Sequence, residues 1–264
     1  MEITDPALVS KLAAQFNEQP ASEAAPVQTI APSNNQVKLP GGYIRDRKLI
    51  KYVEVRELTG EDEEALASTT GTGAAMLIIL NRGLKSIDGV KPRPDDFDSL
   101  LLGDIEAIVL GVYIATFGPE VTYSYTCHSC GSTAKGKVDL SSDVKYVELL
   151  DASDTVFTVE LRGGRSATVS LPNGITQRRL LELDNATDAE LTTAILTGCI
   201  VSVDGQPSSG VSTAKQLSMA DRSEIIKEIL DRNPGPRLGE VSKACEACGA
   251  NHIVPLSLAA LFRV

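Results

Sequence analysis

Two short pieces of this sequence carry the residues best suited to chemistry: Cys127-His128-Ser129-Cys130-Gly131 and Cys245-Glu246-Ala247-Cys248-Gly249. Each is a C-x-x-C-G knuckle. The two-residue spacing lets a pair of sulfurs grip one ion from a tight turn. The following glycine tolerates the positive φ that turns backbone N–H groups toward the sulfurs. Cys127, Cys130, Cys245 and Cys248 together supply the four thiolates of a closed tetrahedral zinc site, so one structural zinc per chain is the expected cofactor. Free thiols, two local redox pairs and an iron–sulfur cluster are the alternatives. A thioredoxin-like site needs its C-x-x-C at a strand-to-helix junction, and neither knuckle leads into a helical pattern. The two pairs are separated by 114 residues, far more than in a compact zinc ribbon. The intervening elements must therefore bring them together.

The rest of the titratable inventory points to structure. His128 and His252 lie in or near the knuckles, but four thiolates already complete the shell, so both read as exposed or supporting residues. Lys135, Lys137 and Lys243 flank the knuckles and either offset the charge of a tetrathiolate centre or simply solubilise the surface. Cys199 follows Leu196 on an apolar face and reads as a buried core thiol. No hydrolase motif is present, and Gly71-Thr72-Gly73 lacks the Gly-Lys-Ser/Thr of a phosphate loop. The acidic run Glu61-Asp62-Glu63-Glu64 follows Thr59 at a helix start, where negative charge complements the helix dipole. A closed zinc site has no open position for water. No enzymatic activity and no small-molecule substrate are expected.

The long gap has an explanation in the sequence itself. Leu39-Pro40-Gly41-Gly42 pairs with Leu161-Arg162-Gly163-Gly164 at an offset of 122, and Tyr52–Val55 with Thr168–Leu171 at 116. Thr59 pairs with Thr176, Ser86-Ile87-Asp88-Gly89 with Ser202-Val203-Asp204-Gly205, and Leu100 and Asp104 with Leu217 and Asp221, at offsets of 116–117. The knuckles follow at 118. The repeated unit reads as strand pair, helix, helix, D-G turn, helix, strand, knuckle, strand. Its last helix in the first copy, about 102–117, is the most apolar segment, and Gly118-Pro119 stops it. The helix of the second copy starts at Ser218, with Asp221 three residues on, and ends at Asn233-Pro234-Gly235-Pro236. The expected fold is α+β: an internally duplicated, helix-rich module with short β-hairpins, two halves joined around a pseudo-two-fold by a shared zinc-ribbon-like site, and an extended N-terminal arm. The expected divisions are 1–37, 38–145 and 146–264.

In that arm, Leu8, Leu12 and Phe16 repeat at helical spacing behind the start Asp5-Pro6. Residues 17–36 are rich in Ala, Pro, Ser, Asn and Gln, a linker composition. The bland reading is a disordered tail. The functional one is a tethered docking helix that fits a neighbour's groove. Arg45, Arg47, Lys48, Lys51 and Arg56 form a basic stretch in an otherwise acidic chain. It reads as a solvated hairpin or as a contact for an acidic neighbour, another copy of the chain included. The formal net charge is −10 and the pI about 4.8, which argues against duplex nucleic acid as a partner. The N-terminus lacks the basic start and apolar core of a signal peptide, and no apolar run approaches the about 20 residues of a membrane span. C-x-x-C pairs without an export signal suggest a reducing cytoplasm.

Several stretches together resemble a known family. They are Lys38-Leu39-Pro40-Gly41-Gly42, the run Val55–Glu63, the helix start Leu101-Leu102-Gly103-Asp104, the helix end Thr116-Phe117-Gly118, and the first knuckle with Val138-Asp139-Leu140 behind it. Their order and spacing are similar to the baseplate (hub) proteins of T-even-type tailed bacteriophages and their zinc-knuckle relatives. The resemblance covers residues 38–142 and, more loosely, the second half. It implies a structural protein of the virion tail, assembled in the host cytoplasm, whose partners are other tail and baseplate proteins and copies of itself. The alternative of another class is a cytoplasmic zinc-ribbon adaptor acting near transcription or nucleic acid, against which the acidic charge and the sparse aromatics weigh.

Overall fold

The computed structural model describes residues 35–262 apart from 70, 184–185 and 255. The expected arm helix with Leu8, Leu12 and Phe16 lies outside these residues. The described residues form one unit of mixed helix and sheet, an α+β protein.

The chain enters through a hairpin of β1 (Gln36–Arg45) and β2 (Lys48–Val55), so Gln36 and Val37, expected in the linker, belong to the sheet. Arg45 faces Lys48 across a two-residue turn whose Asp46 and Arg47 both have positive φ. That conformation matches the twist of the paired strands. β1 breaks register between Lys38 and Tyr43, at Pro40-Gly41-Gly42. Helices α1 (Gly60–Ala67) and α2 (Thr72–Gly83) follow, then β3 (Leu84–Ile87), which pairs antiparallel with β2. Strand β3 turns at Asp88-Gly89, both at positive φ. A short α3 (Pro94–Ser99) leads into α4 (Leu102–Phe117), which Gly118 ends at φ 85°. Helix α4 buries residues around most of its circumference, including Ile105, Ile108, Val109, Leu110 and Val112. It is the core helix expected from its composition.

Beyond α4 the hairpin β4 (Glu120–Thr126) and β5 (Thr133–Asp139) carries the first knuckle. A two-residue β6 (Tyr146–Val147) leads into β7 (Val156–Glu160) and β8 (Ser166–Ser170). Then come α5 (Gly174–Leu181), α6 (Asp188–Cys199), β9 (Ile200–Val203), β10 (Gln206–Pro207), α7 (Val211–Gln216) and α8 (Met219–Arg232). β11 (Gly235–Pro236) pairs with β6, and β12 (Ser242–Ala244) with β13 (Asn251–Ile253), around the second knuckle. Helix α9 (Leu258–Phe262) closes the described chain. The sheets run β1-β2-β3 and β10-β9-β8-β7.

Three apolar clusters hold the unit together. One lies under β1–β3 and α4, one under β7–β9, α6 and α8, and a third joins Leu110, Val138, Leu140, Val144, Val241 and Val254 beneath both knuckle hairpins. The expected element order missed β3, β9, α3 and α7. Each of these strands continues directly from its helix, Leu84 after Gly83 and Ile200 after Cys199, and four residues have no period of their own. The acidic run on α1 also does more than complement a dipole. Asp62 is 1% exposed, accepts the Thr59 N–H at 2.8 Å, and is gripped by Arg56 at 2.7 and 3.0 Å and by Arg82 at 3.0 Å. The Arg56 guanidinium beside it holds its carboxyl well below the usual carboxylate range.

Candidate metal centre

Each knuckle sits at the tip of a hairpin and is built by the same two backbone bonds. In the first, Cys127 N–H donates to Ser132 C=O at 2.9 Å and Gly131 N–H to Cys127 C=O at 2.8 Å. In the second, Cys245 N–H donates to Ala250 C=O and Gly249 N–H to Cys245 C=O, both at 2.8 Å. Gly131 and Gly249 have φ of 71° and 74°, the left-handed conformation that a side chain would strain. The first cysteine of each knuckle is buried and the second exposed.

The two tips meet. The Sγ atoms of Cys127, Cys130, Cys245 and Cys248 all lie within 4.8 Å of one another. They pair across the knuckles, Cys127 with Cys248 at 3.7 Å and Cys130 with Cys245 at 3.9 Å. These distances are far too long for a disulfide. A tetrahedron with metal–sulfur bonds of about 2.3 Å has edges of about 3.8 Å, which the two cross-knuckle separations match. The electrostatics agree. Cys245 is drawn down to about 5 by the N–H groups of Cys248 and Ala247, and the Ser132 hydroxyl lowers Cys130. Cys248 receives an N–H from Ala250, yet its contact with Cys130 and the closeness of Cys127 and Cys245 push it up to about 12.

The residues from 42 to 263, most of the 264-residue chain, match the family model described as T4 bacteriophage base plate protein. The chain belongs to that family. A structural role in a phage baseplate follows from this membership. No curated protein and no solved structure matches the chain.

Aromatic contacts lock the two knuckles of this baseplate-family protein together. The Tyr125 ring stacks on His252 with centroids 4.0 Å apart, and its hydroxyl accepts the Glu246 N–H at 3.3 Å. The Tyr123 hydroxyl lies 2.9 Å from His252 Nε2. His252 is thus a supporting residue, while His128 is exposed. Sequence reasoning missed the tyrosines as part of the site, although their alternation into the first knuckle was visible. The flanking lysines answer carboxylates rather than sulfurs: Lys137 pairs with Glu120 at 2.7 Å and Lys243 with Asp143 at 2.6 Å, and Lys135 is exposed. Cys199 is fully buried, and burial pushes its thiol up to about 12.

The basic stretch is divided. Arg45 is 9% exposed and turned inward, 3.6 Å from Asp96, which also accepts the Tyr43 hydroxyl. Arg56 serves Asp62. Arg47, Lys48 and Lys51 remain at the surface, with Lys48 2.5 Å from Asp88. Among the described residues no helix is long and apolar enough to cross a membrane.

Proposed function

We propose that this chain is a non-enzymatic subunit of a bacteriophage tail baseplate in which one structural zinc ion staples two copies of a single α+β module. The observation that carries the reading is the cluster of four sulfurs drawn from knuckles 114 residues apart. Structural zinc contributes on the order of 10 kcal/mol or more of apparent folding free energy, which adds to the apolar cluster beneath the knuckles and the backbone pairing that already join the two halves. The ion would be held by Cys127, Cys130, Cys245 and Cys248.

Several pairs of features support the duplication. Each half runs through an antiparallel strand pair, two helices, a third strand, a D-G turn, a short helix, a long helix and a knuckle hairpin. Asp104, at the third position of α4, accepts the Gly41 N–H at 2.7 Å, and Asp221, at the third position of α8, accepts the Arg162 N–H at 3.1 Å. Both aspartates thereby tie a long helix to a Leu-x-Gly-Gly strand break. The counterpart of Thr59 is Asn173 and not Thr176 as the sequence offset suggested: Thr59 and Asn173 are the N-caps of α1 and α5, and Asp62 and Thr176 occupy the same buried third position of those helices. The symmetry is incomplete, however. The segment 172–174 binds residues 100–102, whereas 58–60 makes no such contact with 217–219, so no two-fold relates the whole of the two halves.

In the virion tail, the residues before β1, which begins at Gln36, act as an arm that lays Leu8, Leu12 and Phe16 on a neighbouring tail or baseplate protein after assembly in the host cytoplasm. Arg47, Lys48 and Lys51 offer a second contact to an acidic neighbour. The experiment is to purify wild type, Cys245→Ser and a deletion of residues 1–18, then measure zinc, melting temperature and incorporation into particles. Cys245→Ser loses the ion and melts early. The deletion keeps zinc and stability, and only its incorporation falls. A metal-free wild type with four titratable thiols overturns the zinc staple, and a deletion that unfolds the free chain overturns the docking arm.

A further inference from the structure

Within the chain the two halves meet through a short backbone pairing. Leu102 N–H donates to Pro172 C=O at 2.9 Å, Gly174 N–H donates to Leu100 C=O at 3.0 Å, and Leu101 faces Asn173 in an antiparallel bridge. The approach is close: a Cβ on Gly174 would lie 1.8 Å from the Phe97 carbonyl oxygen, so only glycine fits. Around this pairing Gly73 packs on Leu181, and Arg178 forms an ion pair with Asp98. The second half thus presents the start of α5, and the first half receives it between α2, α3 and α4.

Both surfaces have an unused counterpart, on the reading that the halves are duplicates. The counterpart of Pro172-Asn173-Gly174 is Leu58-Thr59-Gly60, because Thr59 and Asn173 are the N-caps of two eight-residue helices that each begin with glycine. The Leu58 carbonyl and the Gly60 N–H have no hydrogen-bond partner among the described residues. Thr59 and Gly60 are exposed, and a Cβ on Gly60 would meet nothing within 4 Å. The counterpart of Leu100–Leu102 is Leu217–Met219, since each follows a six-residue helix and opens a long one. The Leu217 carbonyl and the Met219 N–H are likewise without a partner among the described residues. Met219 stands 89% exposed on the rim of a groove of about 610 Å³ between α6, α7 and α8. The charges complement as well. Arg178 corresponds to Glu64 and Asp98 to Lys215, both exposed, so the ion pair of the internal junction recurs between the open surfaces with its signs exchanged.

We propose that a second copy of this chain docks residues 58–64 on the groove beside Leu217–Met219, repeating between molecules the junction that joins the halves within one. Met219 N–H donates to the neighbour's Leu58 carbonyl, the neighbour's Gly60 N–H donates to the Leu217 carbonyl, and Lys215 meets the neighbour's Glu64. The contact is heterologous, head to tail, and leaves one donor and one acceptor surface open at the ends of any unclosed assembly.

The test uses two proline variants of the full chain. Gly60 and Met219 are first residues of their helices, where proline is tolerated and only a free N–H is lost. Thr59 (ψ 173°) and Ser218 (ψ 153°) already have the extended backbone that a following proline requires. In sedimentation velocity the wild type grows with concentration. Gly60→Pro and Met219→Pro each associate about tenfold or more weakly, the expected effect of one lost interface hydrogen bond with a buried partner left unpaired. An equimolar mixture of the two forms a 1:1 pair and nothing larger, since each retains the surface that the other lacks. Glu64→Lys and Lys215→Glu weaken association singly and restore it when combined in one chain. A wild type that stays monomeric at every concentration, or association that persists unchanged in both proline variants, overturns the proposal. Neither result touches the duplication, which is judged separately by superposing the two halves in an experimental structure.

Discussion

Asp104 is fully buried at the start of α4. Its Oδ1 accepts the Gly41 N–H at 2.7 Å, while its Oδ2 has no partner among the described residues. Burial raises its pKa from the ordinary 3.8 to about 6, against the N–H groups of Gly41 and Gly42, which favour the carboxylate. A carboxyl whose folded pKa lies above its unfolded value stabilises the fold below the unfolded pKa and loses that contribution as pH rises through the folded one. The shift corresponds to about 3 kcal/mol lost by high pH, of which about 1.4 kcal/mol develops between about pH 5 and pH 8. Asp104→Asn keeps an oxygen for Gly41 and does not titrate. Its stability relative to wild type should therefore improve by about 1.4 kcal/mol over that pH range, even if an unpaired amide N–H costs about 1–3 kcal/mol at every pH. Urea unfolding of both proteins across the range measures the gap, and effects of pH on the metal site cancel in the difference. A gap that stays constant, or that shrinks in the opposite direction, refutes the reasoning.

Three further outcomes follow from the packing. Asp62→Ala removes the carboxylate shared by Arg56 and Arg82, which are both partly exposed and keep Glu57 C=O and Glu61 as partners, and should cost about 1–2 kcal/mol; because the Asp62 pKa is depressed, this loss is present above its ordinary pKa and fades in acid, which melts at neutral and low pH will show. Gly103→Ala would place a Cβ 1.5 Å from the Pro234 carbonyl oxygen, forcing α4 away from the segment after α8, and chemical denaturation should register a loss of about 3 kcal/mol or more. Cys199 should resist maleimide at neutral pH in the native protein and react on unfolding; rapid native labelling of Cys199 would contradict its burial.

The legibility of this chain follows the range of the interactions involved. Helix α4, its stop at Gly118, the N-cap at Ser218 and the D-G turns are local signals, and each lies where its residues indicate. The knuckles were readable because cysteine spacing and a following glycine suffice to define them. Strands β3 and β9 were not, since they exist through pairing with β2 and β8 rather than through a pattern of their own. Asp62 looked like one acid among four, and only folding brings Arg82 to it from 20 residues away. Arg45 looked like surface charge until Asp96 was placed beside it. The Tyr125–His252 stack and the pairing of Leu101 with Asn173 are contacts between halves, which no window along the sequence contains.

Whether one ion joins the two knuckles is decided by zinc-edge X-ray absorption on the purified chain with the metal quantified. The expected result is one zinc per chain with four sulfur neighbours at about 2.3 Å. A metal-free protein, or a shell in which oxygen or nitrogen replaces the sulfurs of either knuckle, would contradict it.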